Sequence, residues 1–305
     1  MKPQTSPIHW SALGALAASL GCWAVAPLFI KYFTGFFDAY TQNFYRYSIA
    51  AMFWMPLLVV SIRRGGMDRT IWRLAFWPAM ANILMQTCWA SSLYYLEPGM
   101  HMLVARSTIA FTPLLGFILF PDERRLIRSK GFWIGVVLSS LGAVGVMVFK
   151  ENFTARGTLI GVGYALGSSF LWGVYSALVR KKLRPKDPRL SFAVISIYTT
   201  LGCGLIMLLL GRPGAILNAS ASTWGLLIIS AVLGIGIAHV FYYRAIHGIG
   251  VSIAAGLLLS LPFLTGALSW FVFGEVLNSR QWLSGIVLVA GGISLILSHR
   301  HMTKV

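Results

Sequence analysis

Runs of about twenty consecutive apolar residues, the length an α-helix needs to cross the hydrocarbon core of a bilayer, recur from one end of this chain to the other. They fall near residues 11–31, 41–62, 74–95, 101–120, 131–149, 157–179, 190–211, 223–246, 250–273 and 281–298. Only 11% of the 305 residues are charged, where a soluble domain carries about 25%. The runs are continuously apolar and lack the period-two alternation of a barrel strand. The fold class is therefore all-α integral membrane, with ten transmembrane helices. The first run is too long for the apolar segment of a cleavable signal, and only Lys2 precedes it, so it reads as a span.

A formal net charge of +17 would suit a nucleic-acid partner, but its distribution excludes that reading. Arg63, Arg64, Arg69 and Arg73 share one loop side with Arg124, Arg125, Arg128 and Lys130, and with the cluster from Arg180 to Arg189. Lys2, Arg244, Arg300 and Lys304 join them, while the opposite side holds Lys31, Lys150, Arg156, Arg212 and Arg280. The positive-inside rule then puts both termini in the cytoplasm and the chain in a cytoplasmic membrane. The basic loops also suit contact with anionic lipid head groups. Cys22, Cys88 and Cys203 all lie within spans and form no CxxC pair, so neither a disulfide framework nor a metal site is expected.

The chain repeats itself. A constant shift of 149 residues, without a gap, carries Gly14 onto Gly163, Trp23 onto Trp172, Lys31 onto Arg180, Tyr94 onto Tyr243, Gly99 onto Gly248, Pro113 onto Pro262, Trp133 onto Trp282 and Gly142 onto Gly291. The repeats run over 10–149 and 157–298. Each holds five spans, an odd number, so the second must enter the membrane from the opposite side: two inverted five-helix repeats. Such repeats build a substrate site at their interface near the midplane and work by alternating access.

Several stretches resemble a known family. LGCWAVAPLFIKY (20–32) and FYRYSIAAMFWMPLL (44–58) look like the first two helices of EamA-type drug/metabolite transporters. The segment 242–293 is similar to their second half, with Tyr242-Tyr243-Arg244-Ala245, Pro262, Gly274-Glu275, Gly285 and Gly291-Gly292 in the family's order. The resemblance implies a ten-helix fold and export or exchange of small metabolites. PDERR (121–125) departs from the family's Gly-Glu in the first half.

Polar side chains inside a span usually face the protein interior. Asn82 and Gln86, four residues apart, share a helical face that continues to Ala90, which the 149 shift carries onto His239. Tyr242 and Tyr243 follow His239 at helical spacing. The arrangement suits a shared central cavity; interhelical hydrogen-bond glue is the other reading of Asn82 and Gln86. Trp23 and Trp172, symmetry mates near mid-span, fit either packing or aromatic walls, and Tyr175 lies on nearly the same face as Trp172. The cavity candidates are thus Trp23, Asn82, Gln86, Arg106, Trp172, Tyr175, His239 and Tyr243.

Arg106 lies roughly 8 Å into its span, about five residues at 1.5 Å each, and Arg46 at similar depth. Arg106 has three readings: snorkelling to the interface, a gate latch with Glu97 or Asp38, or a bidentate contact to a substrate carboxylate or phosphate. The gate candidates are Asp38, Arg46, Glu97 and Arg106. Pro113 and Pro262, related by the shift, are hinge candidates, with packing-related bends as the alternative. Small residues at Gly131, Gly135 and Ser139, and at Gly157 and Gly161, suit close helix approach, within one subunit or between two copies of a homodimer.

No deep carboxylate is present to couple transport to an ion, which favours facilitated diffusion or exchange. No histidine has an acid at a recognised catalytic spacing and no nucleotide-binding loop exists. A membrane enzyme acting on lipid is the remote alternative, and no cofactor is expected. The sequence reads as a carrier of amino acids or similar small zwitterions, with nucleobases, nucleosides or drugs as the second substrate class.

Overall fold

The computed structural model describes residues 10–108, 111, 115, 129–149, 156–249 and 258–303. Among them the chain forms helical rods and no strand: α1 (Trp10–Phe33), α2 (Ala39–Arg63), α3 (Thr70–Ser92), α4 (Pro98–Ala105), α5 (Lys130–Val148), α6 (Arg156–Leu183) and α7 (Pro188–Leu210). A short 3-10 turn (Pro213–Asn218) leads to α8 (Ala221–Ala231), which a π-helical turn (Val232–Ile237) joins to α9 (Ala238–Ile249) in one continuous rod. The chain ends with α10 (Leu261–Phe273) and α11 (Ser279–Thr303). Five described helices, including the continuous Ala221–Ala245 rod, are long and apolar enough to cross a membrane, and shorter apolar helices accompany them. Leu201, Leu205, Leu208 and Leu209 on α7, and Phe271 on α10, are exposed, as lipid-facing side chains must be when the solvent is itself apolar.

Two pairs of equivalent helices, α2/α7 and α5/α11, meet antiparallel, which is the inversion made visible. The start of α2 lies at the end of α7, where the Asp38 carboxylate accepts from the Arg212 backbone at 2.9 Å. At the other end of the pair Lys186, before α7, bonds Asp68, after α2. The α5/α11 pair does the same: Asn278 Nδ2 donates to the Phe149 carbonyl at 2.7 Å and Ser294 Oγ to the Gly131 carbonyl at 2.9 Å. In the α4/α10 pair, Glu275 after α10 accepts from the Gly99 and Met100 amides at 2.7 and 2.9 Å. Helix starts repeat too: Asp38 caps α2 and Asp187 caps α7, and these residues are 149 positions apart. Each takes up backbone N–H groups that lipid would leave unsatisfied.

Asp68 and Lys186 tie the loops of one face. A hydrogen bond from Lys186, with others from Thr70, holds the Asp68 carboxyl down to about 2. Because the folded value is depressed, this tie is intact above the ordinary carboxylate range and is lost only as pH falls towards 2.

The two halves approach backbone to backbone at α5/α11. A methyl on Gly142 would overlap the backbone of Leu288, and one on Gly291 would overlap Ser139. Both pairs are exchanged by the 149 shift, so the contact is one crossing seen from either side. Gly161 meets Tyr95 and Leu96 in the same close manner. The small residues at Gly135, Ser139 and Gly161 are therefore used within the chain. Gly142→Ala is expected to destabilise the folded protein by about 1–3 kcal/mol. Gly14→Ala, where nothing lies within 4 Å, should leave the thermal midpoint in detergent near wild type.

Candidate functional site

Trp23 from α1 and Trp172 from α6 come together where the halves meet, ring centroids 5.5 Å apart and edge to face. His239 joins them at 5.4 Å from Trp23 and 6.2 Å from Trp172. Tyr242 lies 5.1 Å from Trp23 and 5.8 Å from Trp172. Phe192 of α7 stacks on His239 at 4.9 Å. Tyr175, 5.8 Å from Trp172, shares a hydroxyl contact with Tyr243. Five of the cavity candidates thus form one aromatic cluster drawn from both repeats, and the α9 face bearing His239, Tyr242 and Tyr243 is buried.

The π-helical turn between α8 and α9 shapes one side of this cluster. Its sequence, VLGIGI, places two glycines where the backbone is wound wider than an α-helix, a geometry frequent at functional sites. The Gly234 carbonyl accepts from Trp23 Nε1 at 3.2 Å and the Gly236 carbonyl from Trp54 Nε1 at 3.0 Å. Arg46, 2% exposed, reaches the same turn: its Nε donates to Ser230 Oγ at 2.9 Å. A Cβ on Gly234 would sit 3.6 Å from Arg46 Nη2 and 3.3 Å from Ala26. Arg46 Nη1 has no hydrogen-bond partner among the described residues. A buried guanidinium without a carboxylate is costly, and its unmade bonds more so.

Asn82 sits in a polar bridge between three helices. Its Nδ2 donates to Thr199 Oγ1 of α7 at 2.9 Å and lies 3.1 Å from the Tyr47 hydroxyl of α2. Gln86 offers its backbone carbonyl to Asn43 Nδ2 at 2.8 Å. Both residues are buried, so the face of α3 turns inward, but Asn82 is engaged as interhelical glue beside the aromatic cluster.

Arg106 is 7% exposed and does not snorkel. It ends α4, and its Nη1 donates to the Leu258 carbonyl at 3.2 Å, just before α10. The latch with Glu97 or Asp38 is not formed. Glu97 pairs with Lys31 at 2.9 Å, and Asp38 is occupied by its capping bonds, Thr41 Oγ1 and the Arg212 amide. The physical reason is spacing along the chain: Glu97 precedes α4 and lies at the membrane surface, whereas Arg106 closes that helix more than two turns further in. Arg46 likewise bonds Ser230 rather than an acid. Pro262 occupies the first turn of α10, where a missing N–H costs nothing; Pro113 lies outside the described residues.

The ties at the first face are therefore Lys31–Glu97, Asp38 with Arg212, and Glu275 on the start of α4. A Cβ on Gly99 would sit 2.8 Å from the Glu275 carboxylate and push that side chain off its bonds to the Gly99 and Met100 amides. Sequence reasoning noted Gly274-Glu275 without this role. It also missed Ser230, Phe192 and the buried Gln42 and Asn43. Gln42 and Asn43 stand four and three residues before Arg46, so helical spacing carried a signal for them; the partners of Ser230 and Phe192 are set only by tertiary packing.

The EamA-like transporter family model matches residues 9–148 and again 159–298. An uncharacterized transporter of Methanothermobacter thermautotrophicus is 27% identical over 238 residues, covering 75% of this chain and 67% of that protein. The similar region of Bacillus subtilis YwfM, also described as an uncharacterized transporter, is 24% identical and covers 55% of this chain and 54% of that protein. An uncharacterized transporter of Haemophilus influenzae is 25% identical over 58% of this chain and 59% of its own length. These last two alignments thus span little more than half of the relatives they match. A solved crystal structure superposes with a TM-score of 0.66 at 16% identity, covering 96% of this chain and 99% of that one; the likeness is one of fold.

Asn82→Ala should lower stability by about 1–2 kcal/mol through loss of the bridge to Tyr47 and Thr199, measured as the thermal midpoint in detergent. Gln86→Ala, which keeps the backbone carbonyl that Asn43 uses, should cost less.

Proposed function

We propose that this chain, which belongs to the EamA-like transporter family, exports or exchanges amino acids or related small zwitterions by alternating access. It is a multi-pass membrane transporter. The observation that carries the finer reading is the meeting of Trp23 and Trp172, equivalent residues of opposite repeats, around His239 with buried basic groups beside them. Aromatic faces favour the apolar part of a substrate and attract a cation, while an arginine favours a carboxylate. A simple organic cation would meet repulsion from Arg46 and Arg106.

Alternating access requires ties that break in turn at the two faces. Lys31–Glu97 and the Glu275 cap serve one face, and Asp68–Lys186 serves the other. The basic loop around Lys186 supports a cytoplasmic side for the second of these. The described acids Asp38, Asp68, Glu97, Asp187 and Glu275 all stand outside or at the ends of the helices, which favours exchange or facilitated diffusion over carboxylate-based ion coupling.

Protein reconstituted in liposomes loaded with an unlabelled amino-acid mixture should accumulate labelled apolar or aromatic amino acids by counterflow, chemically unaltered. Collapse of the proton gradient should leave the rate unchanged. Absence of counterflow with the whole panel contradicts the substrate class, and strict dependence on the gradient contradicts uncoupled movement.

A further inference from the structure

The aromatic cluster has two ends of opposite chemistry, and one residue spans them. Trp23 donates its indole N–H to the carbonyl of Gly234, a residue on which a Cβ would sit 3.6 Å from Arg46 Nη2, while its ring stands 5.4 Å from His239. At the first end, Arg46 has committed Nε to Ser230 and leaves Nη1 without a partner among the described residues. At the second end, His239 Nδ1 lies 3.0 Å from the Ile235 carbonyl. A carbonyl only accepts, so Nδ1 carries the proton, and in the neutral ring Nε2 presents a lone pair. That Nε2 is buried and also has no partner among the described residues. A donor is thus left open at one end of the Trp23 ring and an acceptor at the other.

An α-amino acid carries a carboxylate and an ammonium on one carbon, so a single small molecule can offer an acceptor to Arg46 and a donor to His239. Trp172, Phe192 and Tyr242 supply apolar surface around His239. Arg106 is less suited to this role because it already ties α4 to the Leu258 carbonyl.

We propose that the π-helical turn holds an α-amino-acid subsite in which Arg46 receives the substrate carboxylate and His239 Nε2 accepts from its ammonium, with the side chain lying against Trp23 and Trp172. The assignment deepens the carrier reading above and rests on it. The π-turn widens the rod so that Gly234 can lie against Ala26 and the Arg46 guanidinium. Ser230 then acts as a positioning residue, fixing the guanidinium through Nε so that Nη1 remains available.

The test is counterflow of labelled L-phenylalanine into liposomes containing the wild-type protein, competed by three unlabelled compounds. L-phenylalanine should compete roughly tenfold or more better than phenethylamine, which lacks the carboxylate, and than 3-phenylpropionate, which lacks the ammonium. Equal competition by phenethylamine overturns the Arg46 assignment, and equal competition by 3-phenylpropionate overturns that of His239. In purified Arg46→Gln and His239→Phe, the L-phenylalanine concentration giving half-maximal thermal stabilisation should rise about tenfold. An unchanged value in a folded variant overturns the corresponding half of the subsite. Where a variant does not fold, the wild-type competition series decides. Absence of L-phenylalanine counterflow by the wild type, despite movement of other solutes, overturns the subsite and leaves the carrier standing; absence of all counterflow removes the carrier reading itself.

Discussion

A five-helix unit copied head-to-tail across a bilayer closes into one body here through antiparallel meetings of the equivalent pairs α2/α7 and α5/α11, with α3 on α6 and α1 on α9. Lipid gives the backbone no hydrogen-bond partner and gives apolar side chains no reason to prefer protein. Close approach and polar ties must therefore do the joining. Gly142 against Leu288 and Gly291 against Ser139 supply the first. Asp38 with the Arg212 amide, Asp68 with Lys186, and Glu275 with the start of α4 supply the second, at the ends of the self-paired helices. Everything nearer the centre inherits its position from these crossings, including the encounter of Trp23 with Trp172.

Much of this was legible in the amino-acid order. Apolar runs located the rods because a bilayer sets their length, and the 149-residue offset announced the inversion because five is odd. The Trp23/Trp172 match marked the two as mid-span symmetry mates suited to packing or aromatic walls; that they touch is seen only in the fold. Helical spacing also placed Asn82 and Gln86 on an inward face. What it could not supply was the neighbour that face meets, since periodicity orients a residue about its own helix only. Asn82 consequently reads as lining or glue in the sequence and is tied to Tyr47 and Thr199 in the fold. Arg106 illustrates the same limit: helical rise gives its depth, while its bond to Leu258 depends on how α4 packs against α10. The π-turn was illegible because a widened backbone leaves only a pair of glycines, Gly234 and Gly236, as its trace.

The electrostatics of the interior follow from where the acids went. Described carboxylates stand at the faces, capping helices or holding loops, so the buried guanidiniums of Arg46 and Arg106 lack internal counter-ions among the described residues. A polar group that remains underbonded in the interior is costly, and a substrate that completes its bonds offsets that cost each time it binds. On the proposed reading, a carrier built this way would prefer a carboxylate-bearing substrate without taking up a proton. On the same proposed reading, the aromatic cluster would favour an apolar side chain and tolerate an ammonium against its ring faces.

Alternating exposure of the interface between the two repeats is the claim on which the account stands. A single cysteine at Ala26, which lies against Gly234 at the interface, in a protein with Cys22, Cys88 and Cys203 replaced, can be probed in oriented vesicles with membrane-impermeant thiol reagents added on one side at a time. The account predicts labelling from each side, with transported amino acid changing the balance between the two. Labelling from one side alone under every condition, or from neither, would contradict it.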